Sequence, residues 1–273
     1  MLLIKTLIFL EEIETDGHSP MKFLCSDGEI YYCKYRVSSK IEELDCLIYE
    51  VICSRLANFF SIPTPEIAIV ELAPNCFTMK DIPRNKKYAK VGQFCFGSKD
   101  IKNGNLITGL ELVNSLFDLE KIYNPYDLVK IALFDLWIDN DDRGKKQNYN
   151  LLTSGYENKL KIWAFDHAFS FGGYNSVRIF SPLKTPSTFN KLPETAYFKE
   201  IVRLLDKEKC IELIENMADM MNDSVAYLKP VFDTIPKEWL GFGGLQTNIE
   251  DFLLDKSRIL AAKQLLTNKI SSL

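Results

Sequence analysis

The sequence predicts an α+β protein in two lobes, a β-rich front with one helix over residues 1–98 and a mostly helical back over residues 99–273. Short apolar runs punctuated by Asp-Gly and Pro turns fill the front. A single long helix with a broad apolar face interrupts them. From Tyr197 onward the apolar spacing becomes helical. At 273 residues the chain is long enough to bury a large core.

MLLIKTLIFLEEIE reads as the first strand. Its apolar run is broken by Lys5 and leads into Glu11, Glu12 and Glu14, not into the small residues of a cleavage site, so it is not read as a leader. Asp16-Gly17-His18-Ser19-Pro20 is a turn. Met21–Cys25 and Ile30–Tyr35 form a hairpin around Ser26-Asp27-Gly28-Glu29, and Lys34 lies in its second strand. The helix from about Ile41 to Phe60 gathers Leu44, Leu47, Ile48, Val51, Ile52 and Leu56 on its apolar face. Glu50 has Cys46, Leu47, Cys53 and Ser54 as its i±3 and i±4 neighbours. A carboxylate on that flank needs a cation, and Lys34 on the preceding strand is the natural partner.

Ser61-Ile62-Pro63-Thr64-Pro65 ends the helix, and Glu66–Leu72 is a strand. Residues 73–90 are irregular and basic through Lys80, Arg84, Lys86, Lys87 and Lys90: a solvated loop by default, with contact to an acidic partner as the alternative. Val91–Phe96 is a further strand, and Gly97-Ser98 with Lys99–Gly104 reads as the joint between lobes. In the back half, Asn124 can cap a helix that begins at Pro125 and carries Leu128, Val129, Ala132 and Leu136 on one face. The knot Asp139-Asn140-Asp141-Asp142-Arg143-Gly144-Lys145-Lys146 follows, read as too charged to bury. Tyr149–Thr153 and Leu160–Phe165 are strands joined by Ser154-Gly155-Tyr156-Glu157-Asn158. Residues 172–195 are a long loop whose Ser181, Thr185, Ser187 and Thr188 are possible phosphorylation positions. Helices are expected over 197–206, 208–221, 223–232 and 248–271.

Thirty-three basic against 37 acidic side chains give a net charge of −4. That balance does not favour long-range attraction to nucleic acid or anionic lipid. Seven cysteines, none in CxxC spacing, read as reduced buried thiols and point to the cytoplasm; no stretch is long and apolar enough to span a bilayer.

The last two strands make a definite geometric statement. If they pair antiparallel about position 157, Asn148 and Asp166 meet at the open end, with Asp142 on the loop that feeds it. Such oxygen donors suit Mg²⁺, which commonly accompanies phosphates. The arrangement is one of phosphoryl transfer: one Asp orients the attacking hydroxyl, while an Asn and a second Asp hold the metal on a nucleotide. A strand Lys paired with a helix Glu, upstream of these, fits the same chemistry.

LIYEVICSRLANFFSIPTPE resembles the Glu-bearing helix and following turn of small bacterial HipA-like kinase-domain proteins. WIDNDDRGKKQNYNLL and IWAFDHAFSF resemble their N-x-D-R…N-x-N-L-L and D-H segments, and are similar also to type II phosphatidylinositol 4-kinases. The resemblance implies a bilobal protein-kinase-like fold. It implies Lys34 on the phosphates of ATP with Glu50 as its partner, Asp142 as catalytic base, and Asn148 and Asp166 as Mg²⁺ ligands. Gly17 and Ser19 belong to the implied loop over the phosphates. One departure stands out: the usual loop places Asn five residues after Asp, where this chain has Gln147, with Asn148 one further on. The function expected is an ATP- and Mg²⁺-dependent kinase acting on a hydroxyl, a protein Ser or Thr first. The alternatives are a pseudokinase, a lipid or small-molecule kinase, and an Mg²⁺-dependent hydrolase, which leaves the Lys34–Glu50 pair unexplained.

Overall fold

The computed structural model describes residues 1–15, 19–40, 42–108, 113–140, 142–143, 149–172, 192–241 and 243–273. Five strands of the front half close into a small barrel in the order β1-β2-β3-β5-β4: β1 Leu2–Glu12, β2 Met21–Cys25, β3 Ile30–Lys34, β4 Ile67–Glu71 and β5 Phe94–Lys99. Neighbours pair antiparallel except β1 with β4, which close the barrel in parallel, Leu2 opposite Ala68 and Lys5 opposite Glu71. Closure leaves no open sheet edge, which a five-stranded open sheet would expose. Alternate residues of β2 and β3 point inward, so Met21, Phe23, Cys25, Tyr31 and Cys33 fill the barrel. Gly97 and Ser98, expected to open the joint between lobes, lie inside β5. Gly97 is required there, because a Cβ would meet Val70 Cγ2 at 2.5 Å.

Helix α1, Glu42–Phe59, packs against the barrel and is buried nearly all round, including Glu43, Asp45 and Glu50. Its N-terminal end is tied by Glu43, whose carboxylate accepts the backbone N–H groups of Val37 at 2.6 Å and Ser38 at 2.9 Å. In the back half, β6 Asn105–Leu106, β7 Leu151–Tyr156 and β8 Lys159–Ala164 form a second sheet. Helices α2 Leu116–Glu120, α3 Asp127–Ile138, α4 Ala196–Leu204, α5 Lys207–Phe232, α6 Leu245–Leu254 and α7 Lys256–Ser272 complete it.

Several expected boundaries move. Asn124 does not cap α3; its side chain instead bridges Asp127 Oδ2 at 2.9 Å and the backbone of Ile162 at 2.8 and 3.0 Å, fastening the helix to β8. Residues 207–232 form one helix where two were expected. The segment 248–271 is two helices broken at Asp255, whose carboxylate caps α7 through Arg258 N at 2.8 Å. The hairpin strands lie closer to the turn than expected, β7 ending at Tyr156 and β8 starting at Lys159, around a two-residue turn in which Glu157 and Asn158 both take positive φ. With Leu151 opposite Ala164, the register is one residue away from that expected. All seven cysteines are free, and six are buried. Among the described residues no helix is long and apolar enough to cross a membrane.

Candidate active site

The site forms where the end of β3, helix α1, the α3–β7 connection and the segment after β8 meet. Lys34 is the last residue of β3, and its Nζ reaches Glu50 Oε1 at 2.6 Å and Asp166 Oδ1 at 2.8 Å. The expected strand–helix pair is thus present, and a carboxylate from the back half joins it. The other Glu50 oxygen accepts the backbone N–H of His167 at 2.9 Å, so one carboxylate ties α1 to both β3 and the segment after β8.

Electrostatically, one ammonium stands against two carboxylates. Burial opposes the Lys34 charge, but Asp166 and Glu50 outweigh it and raise its pKa above the usual lysine range. Burial pushes the Glu50 carboxyl up to about 7 against the pull of Lys34, and the charge of Asp166 pushes the same way. The cluster carries surplus negative charge that a further cation would relieve.

The second part of the site was misjudged in sequence. The knot read as too charged to bury contains fully buried Asn140 and Arg143 and nearly buried Asp139. Burial is tolerated because each of these groups meets a polar partner, Arg258 for Asp139 and Asp135 for Asn140 and Arg143. Asp135, on the last turn of α3, pairs with Arg143 Nε and accepts from Asn140 Nδ2 at 3.1 Å. Arg143 Nη1 donates to the carbonyls of Tyr149 at 2.9 Å and Asn150 at 2.5 Å. Its Nη2 faces the Phe165 carbonyl at 3.4 Å and His167 Nε2 at 3.1 Å. Burial, and next the Arg143 charge, hold the His167 pKa well below the usual value, so the neutral ring can accept from the guanidinium. One buried guanidinium therefore links the end of α3, the start of β7 and the segment carrying Asp166.

Around this hub, Asp142 takes its backbone N–H to Asn140 Oδ1 at 3.2 Å, and its Oδ2 accepts from Asn150 Nδ2 at 3.2 Å. The Asn150 carbonyl receives the Phe165 N–H at 3.1 Å, which sets Asp166 one residue from the Asn150 backbone. Asn150 and Asp166 both have left-handed backbone, φ 45° and 58°, a conformation that non-glycine residues hold only where their surroundings impose it.

Asn148, expected as a metal ligand, and Gly17, expected over the phosphates, lie outside the described residues. Ser19 is buried, with its carbonyl held by Asn85 Nδ2 at 2.7 Å, and no described contact joins it to the Lys34 cluster. The residues that sequence reading missed are Asn150, Arg143, Asp135 and His167. Asn150 had a usable signal, since it stands directly before the apolar pair Leu151-Leu152 that opens β7. The other three had only their composition. Among the described residues no group of three His, Cys, Asp or Glu side chains could hold a metal. Asn150 and Asp166 offer an amide and a carboxylate, oxygen donors of the kind that suit Mg²⁺ when phosphate oxygens complete the shell, and Asp142 stands beside Asn150. A cavity of about 370 Å³ lined by Glu29, Glu66, Lys99, Asp100 and Trp163 involves none of these residues.

The fold is similar to the crystal structure of the Helicobacter pylori proinflammatory kinase CtkA, with a TM-score of 0.54 at 12% identity, over 100% of this chain and 98% of that one. At that identity the likeness is one of architecture. No curated protein sequence matches. The profile of HipA-like kinases matches residues 10–264, nearly the whole chain, which therefore belongs to the HipA-like kinase family.

Proposed function

We propose that the protein is an ATP- and Mg²⁺-dependent kinase that transfers the γ-phosphoryl group to a hydroxyl, with a Ser or Thr of a protein as the acceptor. The observation that carries this reading is the Lys34–Glu50–Asp166 cluster, with Lys34 at 2.6 and 2.8 Å from the two carboxylates, reached through Arg143 and Asn150 from Asp142. The front barrel, residues 1–98, and the helical half, residues 99–273, act as the two lobes, with the nucleotide between them.

In this reading Lys34 exchanges Asp166 for phosphate oxygens when the nucleotide binds, while Glu50 keeps the ammonium in place. Asp166 and Asn150 would hold Mg²⁺, which supplies charge neutralisation at the phosphate oxygens. Asp142 orients the acceptor hydroxyl and takes its proton. The acceptor oxygen bonds to the γ-phosphorus as the bond from that phosphorus to the β–γ bridging oxygen breaks, and ADP leaves. Positioning and fixed charge supply most of the rate, which fits a site whose parts are held by buried polar contacts.

The extra residue between Asp142 and Asn148 is the sequence feature that argues for a pseudokinase. Asn150, already 3.2 Å from Asp142, supplies an amide at the site without that spacing, and this favours turnover. Radiolabelled ATP with purified protein and cell lysate tests the reading. Wild type labels itself or a substrate; Asp142→Asn loses transfer by about a thousandfold yet keeps the rise in melting temperature given by Mg²⁺-ATP. Equal turnover in the two proteins rules the assignment out.

A further inference from the structure

We propose that the outward face of the insertion between β4 and β5 docks an acidic protein segment, the stretch around the acceptor hydroxyl; its link to the acceptor rests on the kinase reading. An antiparallel pair needs a connection of about two to five residues. Here the chain spends residues 72–93 on it. The insertion is a built platform. Leu72 and Gln93 join at its base at 2.9 Å, and Ile82, Asn85 and Ala89 are fully buried. The Glu12 carboxylate accepts the N–H groups of Arg84 at 3.1 Å and Asn85 at 3.0 Å, and the Asn85 amide at 2.7 Å. That same amide donates to the Ser19 carbonyl, so the insertion is fastened to the end of β1 and to the loop before β2.

The barrel register places this platform at the catalytic end. Lys34 lies opposite Phe96, and Phe94 opposite Glu71, so the insertion leaves and rejoins the barrel beside the end of β3. Its outer side exposes Lys80, Arg84, Lys86, Lys87 and Lys90. Arg84 has Glu14 at 3.7 Å; among the described residues no carboxylate pairs with the other four. The nearby acid Asp81 already accepts the Thr78 N–H at 2.6 Å. Four unpaired cations on one fixed loop run against a chain of net charge −4.

The observations favour an acidic peptide over nucleic acid. A base would need an open aromatic face to stack on. Tyr88 has the charges of Arg36 and Lys87 each 5.2 Å from its ring centre, and Phe77 is packed edge-on against Phe23 at 5.9 Å. An acidic peptide asks only for spaced surface cations, with steering that salt weakens.

Fluorescence anisotropy on the full chain with a labelled Glu-rich, Ser-containing peptide tests this. Wild type binds, more weakly as salt rises above about 0.1 M. The variant Lys80→Glu/Lys86→Glu/Lys90→Glu binds about tenfold more weakly, with KM for the peptide raised, kcat unchanged and the Mg²⁺-ATP melting shift intact. Its neutral counterpart, with Gln at the three positions, falls between. Equal peptide binding by wild type and the Glu variant overturns the proposal. So does tighter binding of an RNA oligonucleotide of equal charge, which would make the face a nucleic-acid site. Peptide binding that depends on the three lysines, with no phosphate transfer by wild type, would remove the kinase reading and leave the dock standing.

Discussion

Replacing Arg143 by Lys separates the charge of the hub from its shape. Lys keeps a cation for Asp135, but a single ammonium cannot reach the carbonyls of Tyr149 and Asn150, the carbonyl of Phe165 and the ring of His167 together. Two of those contacts are lost at a fully buried position. At about 1.5 kcal/mol for each hydrogen bond from a charged donor, the cost is about 3 kcal/mol. Unfolding entropy near 2.1 cal/mol/K per residue over 273 residues gives about 0.6 kcal/mol per degree, so the melting temperature falls by about 5 °C. The same loss frees Asn150 and the backbone beside Asp166 to leave their left-handed conformations. The Mg²⁺ concentration that half-saturates ATP-dependent stabilisation then rises by about tenfold. Circular dichroism melts of Arg143→Lys, with and without ATP over a Mg²⁺ series, read both quantities. A variant that melts within about 1 °C of wild type refutes the hub. One that melts lower but keeps the wild-type Mg²⁺ midpoint confines Arg143 to stability.

Three further outcomes follow from the same geometry. Asn150→Ala raises the Mg²⁺ requirement for phosphate transfer by about ten- to a hundredfold, while Asn148→Ala changes it less than about threefold; the reverse order returns the metal site to Asn148. Trp239→Phe shrinks the buried ring and removes the Nε1–H that donates to the Phe94 carbonyl at 3.1 Å, lowering stability by about 1–3 kcal/mol in denaturant titration. An unchanged midpoint would show that this contact does not tie the C-terminal half to β5. Arg258 donates from Nε to the Trp137 carbonyl at 2.6 Å and from Nη2 to the Leu136 carbonyl at 2.8 Å. Arg258→Met, which leaves Asp139 and those carbonyls without their cation, costs about 3 kcal/mol or more by the same titration, and a loss below about 1 kcal/mol contradicts that role.

What the sequence made legible depended on how local the cause was. The Lys34–Glu50 pair could be read because Glu50 had apolar neighbours one turn away on both sides, and the preceding strand offered a cation. The hairpin could be read from its alternation, but its register could not. The turn falls on Glu157 and Asn158, neither a glycine, and both are driven to positive φ. Counting from the centre of the loop selected Asn148, whereas the amide that reaches Asp142 is that of Asn150, directly before β7. The buried knot was opaque for a deeper reason. Asp139, Asn140 and Arg143 look like solvated loop residues until Asp135, His167 and Arg258 are brought to them from other segments. Long-range satisfaction of buried charge leaves little local pattern. The left-handed residues Asp139, Asn150, Asp166 and Phe171 gather around the same site, and no sequence cue announced them.

A crystal structure with Mg²⁺ and a non-hydrolysable ATP analogue tests the central assignment most directly. The expected result is that the Lys34–Asp166 contact, now 2.8 Å, opens, with Lys34 moving to phosphate oxygens and Asp166 and Asn150 to the metal, while Glu50 stays on Lys34. A nucleotide bound elsewhere, with Lys34 still closed on Asp166, would contradict it.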